Sequence, residues 1–340
     1  MLQSADPFER VLAALAADPA TDFGTPGSTV ERLARIEGLY SSVLRVRIRT
    51  PARTLQAYVK VLKPRGPGDE ERAQADRFLM REYQATAAFY QAVQRTPGIG
   101  AVRPIAILPE HRAMVTEEVP GRPLGEILAR AREVTDGLTA IASRVGSWTR
   151  TYQAVGGESG EVEVAQLRAY LDHRLRLIEG RVLAPGGRAE ALARFDALAA
   201  ELERPALRAV PIHADLGPMN IIVDDEGRVT VLDFTMAKSG TRFHDLSHVY
   251  FHLGLMAARD PRRKGLFGTL QRAMLAGYDP ALVPEHPLFR LMLLQHGVCH
   301  VALLAERRLP VVDPAYRWFL RRRWSVCQQL VPAQPELRAV

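Results

Sequence analysis

The chain has 340 residues, 47% hydrophobic and 24% charged, which is enough for one large or two coupled domains with an ordinary globular composition. Its net charge of +7 admits nucleic acid, but no zinc-finger or RNP-like motif accompanies the charge, so no specific nucleic acid is expected; surplus arginine serves a phosphate-binding enzyme equally well. Cys299 and Cys327 sit in no metal spacing, and the start through Asp6, Pro7 and Glu9 lacks the basic, then apolar, pattern of a secretion signal, so a reduced cytoplasmic protein is expected.

Residues 6–17 carry Phe8, Val11, Leu12 and Leu15 at helical spacing behind Asp6 as N-cap and Pro7 in the first turn. A Gly/Pro/Ser linker, 21–28, leads through Val30, Leu33 and Ile36 to the turn Glu37-Gly38-Leu39-Tyr40-Ser41-Ser42. Strict alternation then predicts a strand, with Leu44, Val46 and Ile48 on one face and Arg45, Arg47 and Arg49 on the other. A second strand sets Leu55, Ala57, Val59 and Val61 against Tyr58, Lys60 and Leu62. Residues 69–94 predict a long helix with Phe78, Leu79, Tyr83, Ala87 and Tyr90 as its apolar line and Glu70, Glu71 and Asp76 as surface acids. Two strands, 102–108 and 113–119, follow around the turn Pro109-Glu110-His111-Arg112. Beyond them the chain reads as helices at 124–132, 135–152, 164–179 and 188–202, broken at Gly156-Gly157 and Pro185-Gly186-Gly187, and again at 243–258, 262–277, 287–308 and 314–330. The apolar run 288–305 is interrupted by Arg290, Gln295, His296 and His300, which points to a buried helix and not a membrane span.

Between these helical blocks lies Pro211-Ile212-His213-Ala214-Asp215-Leu216-Gly217-Pro218-Met219-Asn220, then two apolar segments, 221–223 and 229–232, joined by Asp224-Asp225-Glu226-Gly227 as a hairpin turn. The second segment ends in Asp233. Phosphoryl transfer from a nucleotide is mostly positioning and charge neutralisation around Mg²⁺-bound phosphates, and needs such a set. Asp215 would accept or orient the proton of an attacking hydroxyl, Asn220 and Asp233 offer hard oxygen ligands to Mg²⁺, and His213 supports the loop.

With H-x-D-x-x-x-x-N at His213 to Asn220 and an Asp at Leu232-Asp233-Phe234, the sequence resembles the aminoglycoside phosphotransferase and choline kinase family of kinase-like small-molecule phosphotransferases. The resemblance spans about residues 30–260 and implies an α+β, protein-kinase-like bilobal fold. An N-terminal helix and linker (1–28) would precede a small antiparallel sheet lobe with one long helix (29–119) and a larger, mostly helical lobe (120–340), with the nucleotide, ATP or GTP, between the lobes. By the same resemblance Lys60 reaches the nucleotide phosphates, Glu82 pairs with Lys60, and the turn before Val43 lies over the phosphates with Ser41 and Ser42 as hydroxyl donors. Backbone groups of Glu117 and Val119 would meet the adenine edge at a hinge, and Asp245, at a helix start, would brace the catalytic loop and act as an N-cap.

Gly217 stands where Ser/Thr protein kinases carry a lysine, Thr235 replaces the glycine after Asp233-Phe234, and no A-P-E segment follows, so the acceptor is expected to be a small-molecule hydroxyl. After Leu246 thirteen Arg and Lys stand against six Asp and Glu, an excess opposite to what a polycationic aminoglycoside needs; a sugar, amino alcohol or anionic metabolite remains open. The basic stretch Arg317, Arg321, Arg322 and Arg323 with Trp318, Phe319 and Trp324 reads as a solvated helix face or as a contact to an anionic surface or substrate. Two other readings stand beside the small-molecule kinase: a non-catalytic nucleotide-binding scaffold, and a kinase acting on a lipid head group or macromolecule.

Overall fold

The computed structural model describes residues 6–203, 207–306 and 314–331. The reading of Met1 to Ala5 as part of a non-secretory start, and of Arg307 and Arg308 as a helix end, falls outside the described residues. The chain forms two compact units.

The first unit takes the described residues up to Pro123 together with Asn220–Ala237. Helix α1 (Pro7–Ala17) starts as its sequence dictates, with Asp6 accepting from the Phe8 N–H at 3.2 Å and proline in the first turn. Five antiparallel strands, β1 (Thr29–Glu37), β2 (Ser41–Arg49), β3 (Thr54–Leu62), β4 (Pro104–Leu108) and β5 (Ala113–Glu117), form one sheet in the order β1-β2-β3-β5-β4. The period-two pattern decides the faces. Leu44, Val46, Ile48, Leu55, Ala57 and Val59 are buried with Phe8, Val11 and Leu15 of α1, each large side chain contributing roughly 1.5–3 kcal/mol. The opposite face carries Arg45, Tyr58 and Lys60.

That second face is met by α2 (Asp69–Val93), whose Leu79 packs with Leu62 and Met114. The buried line of α2 is Ala75, Leu79, Glu82, Thr86, Phe89 and Val93; of the expected apolar line Leu79 is buried and Phe78 and Tyr83 pack partly buried against its cluster, while Ala87 and Tyr90 lie one position past the buried Thr86 and Phe89. The reason is that two buried members are polar: Glu82 holds an ion pair, and Thr86 satisfies its hydroxyl on the Glu82 carbonyl at 2.7 Å. A short strand, β6 (Arg122–Pro123), pairs with the hairpin of β8 (Ile221–Val223) and β9 (Val229–Val231). The hairpin turn closes on Asp224, whose carboxylate accepts from the N–H groups of Glu226 and Arg228, with Gly227 at φ +73°. Backbone bonds from Val229 to Gly98 and from Gly100 to Val229, and the Phe89–Phe234 ring contact, tie this hairpin to α2 and its exit loop. The hairpin therefore belongs to the sheet-bearing unit, although the sequence reading put residues 220–237 with the helices.

The second unit holds α3 (Leu124–Arg130), α4 (Asp136–Gly156), α5 (Val164–Arg176), α6 (Gly187–Ala200), α7 (His244–Arg259), α8 (Lys264–Tyr278), α9 (Pro287–Glu306) and α10 (Pro314–Leu330). Helices α4 and α8 approach closely because Gly146 and Gly277 face the partner backbone: a Cβ on either would lie 2.0 Å from a carbonyl oxygen. Helix α9 is long and apolar enough to cross a membrane, but 78% of its apolar window is buried inside the protein, so it serves as the core helix. Strands β7 (Ala209–Ile212) and β10 (Lys238–Thr241) form an antiparallel pair, Ile212 opposite Lys238. Strand β10 escapes sequence reading because Lys238-Ser239-Gly240-Thr241 carries no apolar alternation. Cys299 and Cys327 are both free thiols.

Candidate active site

In the sheet-bearing unit, Lys60 points from β3 into a ring of oxygens. Its ammonium lies 2.7 and 2.9 Å from the two Glu82 oxygens, 2.8 Å from Asp233 Oδ1 and 2.9 Å from Thr235 Oγ1. Burial works against the charge on Lys60, but the charges and hydrogen bonds of Glu82 and Asp233 outweigh it and raise the lysine pKa, so the ammonium is retained at neutral pH. Glu82 is buried, whereas the Asp233 side chain is 46% exposed and so open to a further ligand. Asp233 adopts φ +66°, a left-handed conformation that costs an L-residue roughly 1–2 kcal/mol. Asn220 stands opposite Leu232 at the hairpin mouth, its carbonyl accepting from the Leu232 N–H at 2.8 Å.

The phosphate-loop expectations fare differently. The turn itself is Gly38–Tyr40, while Ser41 and Ser42 already lie in β2. Ser42 is buried and donates its hydroxyl to Glu37 at 2.6 Å, so the structure does not present it as a donor to a ligand. Glu37 also takes Lys63 at 2.6 Å, and the Lys63 hydrogen bond, then that of Ser42, pull its carboxyl down to about 2. At the hinge the Glu117 N–H is taken by the Arg103 carbonyl and its carboxylate by the Arg103 guanidinium, while Glu118 is forked by Arg45. These bonds leave Val119 as the hinge N–H without a backbone partner among the described residues. A cavity of about 230 Å³ opens beside it, lined by Tyr90, Arg103, Glu117, Val119 and Arg228 among others.

In the helical unit, β7 delivers His213 and the exposed Asp215. The loop is pinned by Asp245, fully buried, whose carboxylate accepts from the His213 N–H at 2.6 Å and the Ala214 N–H at 2.9 Å. Asp245 is not the N-cap the sequence suggests. It is the second residue of α7, with its side chain turned to the loop backbone. Ala214, next to Asp215, has φ +64°; with Asp233 and Arg112 it makes the only three non-glycine residues at positive φ among those described, and two of the three adjoin or are predicted site residues. His213 is buried against Trp148, and its Nδ1 accepts from the Asp215 N–H at 3.3 Å. Among the described residues no three His, Cys, Asp or Glu side chains gather into a metal cage.

The sequence model of the phosphotransferase enzyme family APH matches residues 32–282. The chain belongs to this family. It is accordingly a phosphotransferase. Similar solved structures include the aminoglycoside phosphotransferase APH(4)-Ia, at 14% identity and TM-score 0.58 over 97% of this chain and 100% of that one. The choline kinase LicA from Streptococcus pneumoniae, at 12% and 0.53, covers 95% and 100%, and macrolide 2'-phosphotransferase MphH from Brachybacterium faecium, at 19% and 0.50, covers 93% and 98%. At these identities the likeness establishes the kinase-like fold. No curated protein matches the sequence.

Sequence reasoning missed two groups in this phosphotransferase. One is Thr235, noted only as a departure. The other is a row of imidazoles behind the catalytic loop, His244, His248 and His252 on α7 with His296 on α9, whose rings lie 4.7–4.9 Å apart. The spacing of four along α7 was the available signal. Burial, then neighbouring imidazoles, hold His248 and His296 well below the usual 6.5, and burial, then Arg259, lowers His252.

Two expectations follow from these buried groups. A folded state that resists protons the unfolded chain accepts near pH 6.5 loses stability as pH falls through that value. The thermal midpoint should therefore fall between about pH 7.5 and about pH 5.5, and less so in His248→Gln; equal midpoints would contradict this. The lowered pKa of Asp245, where burial raises it but His244 and the loop N–H groups prevail, acts only in a separate, more acidic window below its usual 3.8. Asp245→Ala leaves two inward N–H groups without an acceptor and should cost roughly 2–5 kcal/mol in urea unfolding, with Asp245→Asn intermediate.

Proposed function

We propose that the chain transfers the γ-phosphoryl group of ATP or GTP to a hydroxyl of a small molecule, with Mg²⁺ as the partner of the phosphates. The observation that carries this is Lys60 fixed between Glu82 and an exposed Asp233. Glu82 and Thr235 hold the ammonium at one point, and the proton now directed at the exposed Asp233 is the one a phosphate oxygen can take when that carboxylate turns away. Asn220 and Asp233 suit Mg²⁺, which takes one or two protein oxygens plus phosphates and water and needs no protein cage. When bound, the ion draws charge from the phosphate oxygens.

The chain's own groups do the rest. Val119 N–H meets the base, Lys60 holds the phosphates, and Glu82 holds Lys60. Asp215 orients the acceptor hydroxyl and takes its proton, on a loop stiffened by Asp245. Relatives of this fold have been solved with ADP and hygromycin B and with AMP-PNP and Ca²⁺, which supports a nucleotide and a divalent cation here. Their acceptors range over an aminoglycoside, amicoumacin and, by name, macrolides and choline. The basic excess after Leu246 favours a neutral or anionic acceptor over a polycation.

The reading is tested by measuring ADP or GDP release across a panel of sugars, amino alcohols and anionic metabolites. Acceptor-dependent release is expected, and Lys60→Ala should raise the nucleotide KM about tenfold or more. Tight nucleotide binding without turnover on any acceptor would favour a scaffold, and an unchanged nucleotide KM and kcat in Lys60→Ala would remove Lys60 from the mechanism.

A further inference from the structure

Thr235 sits at the centre of the Lys60 network, and its chemistry is more restrictive than that of its neighbours. Its Oγ1 accepts from Lys60 Nζ at 2.9 Å and lies 2.7 Å from Glu82 Oε2 and 2.6 Å from Asp233 Oδ1. A hydroxyl has one proton, so only one of the two carboxylates receives it at a time. The backbone gives it little freedom: the Phe234–Met236 turn is closed by the Ala237 N–H on the Phe234 carbonyl, and Phe234 is buried against Phe89.

We infer that Thr235 is a positioning residue that keeps Lys60 and Glu82 in register when Asp233 turns from the lysine to the metal. This rests on the nucleotide-binding role proposed above. In the state described here the lysine is shared by two carboxylates. Asp233 would hold a divalent cation, and its carboxylate, with charge drawn to that ion, would be a weaker acceptor for Lys60 and for the hydroxyl proton than Glu82. Thr235 then donates to Glu82 alone while still accepting from Lys60, and the ammonium stays directed at the phosphates. Without the hydroxyl, Lys60 is held by Glu82 from one side only. The need for Thr235 therefore arises with the metal.

The test uses the full chain with Thr235→Val, which preserves shape without the hydroxyl, and Thr235→Ser, which restores it. Nucleotide affinity is measured by calorimetry in EDTA and then in Mg²⁺, alongside Mn²⁺ affinity by electron paramagnetic resonance and the thermal midpoint of each variant. Thr235→Val should bind nucleotide in EDTA within about twofold of wild type but lose about tenfold in Mg²⁺, and Thr235→Ser should recover most of that. Mn²⁺ should bind Thr235→Val at least as tightly as wild type, since Asp233 is less engaged. Equal losses with and without metal, no loss at all, or failure of serine to rescue would each overturn the inference. Wild type whose nucleotide affinity does not respond to Mg²⁺ would instead contradict the proposed function. If Thr235→Val is unstable, the Thr235→Ser comparison in the two conditions still decides: a metal-specific deficit larger than about threefold would count against the hydroxyl as the active group.

Discussion

Asp233→Asn should reduce kcat/KM about a thousandfold or more while leaving the thermal midpoint close to wild type. The carboxylate is half exposed and Lys60 keeps both Glu82 oxygens, so removing its charge strands no buried ion. What disappears is the anionic oxygen at the hairpin mouth, where several kcal/mol of transition-state charge must be met. Asparagine is the informative substitution because it tolerates the φ of +66°; alanine there adds a backbone cost of about 1 kcal/mol that blurs the comparison. Activity above about a tenth of wild type in Asp233→Asn would remove Asp233 from the metal role.

The second large effect is expected at Asp215. Asp215→Asn keeps the size of the side chain and the loop hydrogen bonds to Asp245, which come from the His213 and Ala214 N–H groups and not from Asp215. It removes the proposed base. Turnover should fall about 10²–10⁴-fold with the nucleotide KM nearly unchanged, since Asp215 is assigned to the acceptor and not to the phosphates. A rise in nucleotide KM with kcat preserved would place Asp215 in binding instead.

Much of this was legible in the chain because it is local. The alternation of β2 and β3, the Asp6-Pro7 helix start and the spacing from His213 to Asn220 each express one element's geometry. The structure brings Lys60 and Glu82 together as the resemblance implied, across 22 positions. Other features depend on what an element meets. The polar pair Glu82 and Thr86 hides the buried line of α2, because burial there is satisfied by an ion pair and a main-chain bond. Ser42 looks like a ligand donor in sequence but is consumed by Glu37 five residues earlier. Thr235 reaches Glu82 across 153 positions, and no periodicity reports such a contact. Strand β10 pairs through its backbone alone, which leaves its side-chain composition free of any strand pattern.

The most direct test of the central claim is mass spectrometry of an acceptor panel incubated with nucleotide, Mg²⁺ and either wild type or Asp215→Asn. One acceptor gaining a single phosphoryl group with wild type, and about a hundredfold or more slowly with Asp215→Asn under the same initial-rate conditions, is the predicted result. Equal phosphorylation by both proteins would contradict the account, because the phosphoryl transfer would then be proceeding without the residue on which it depends.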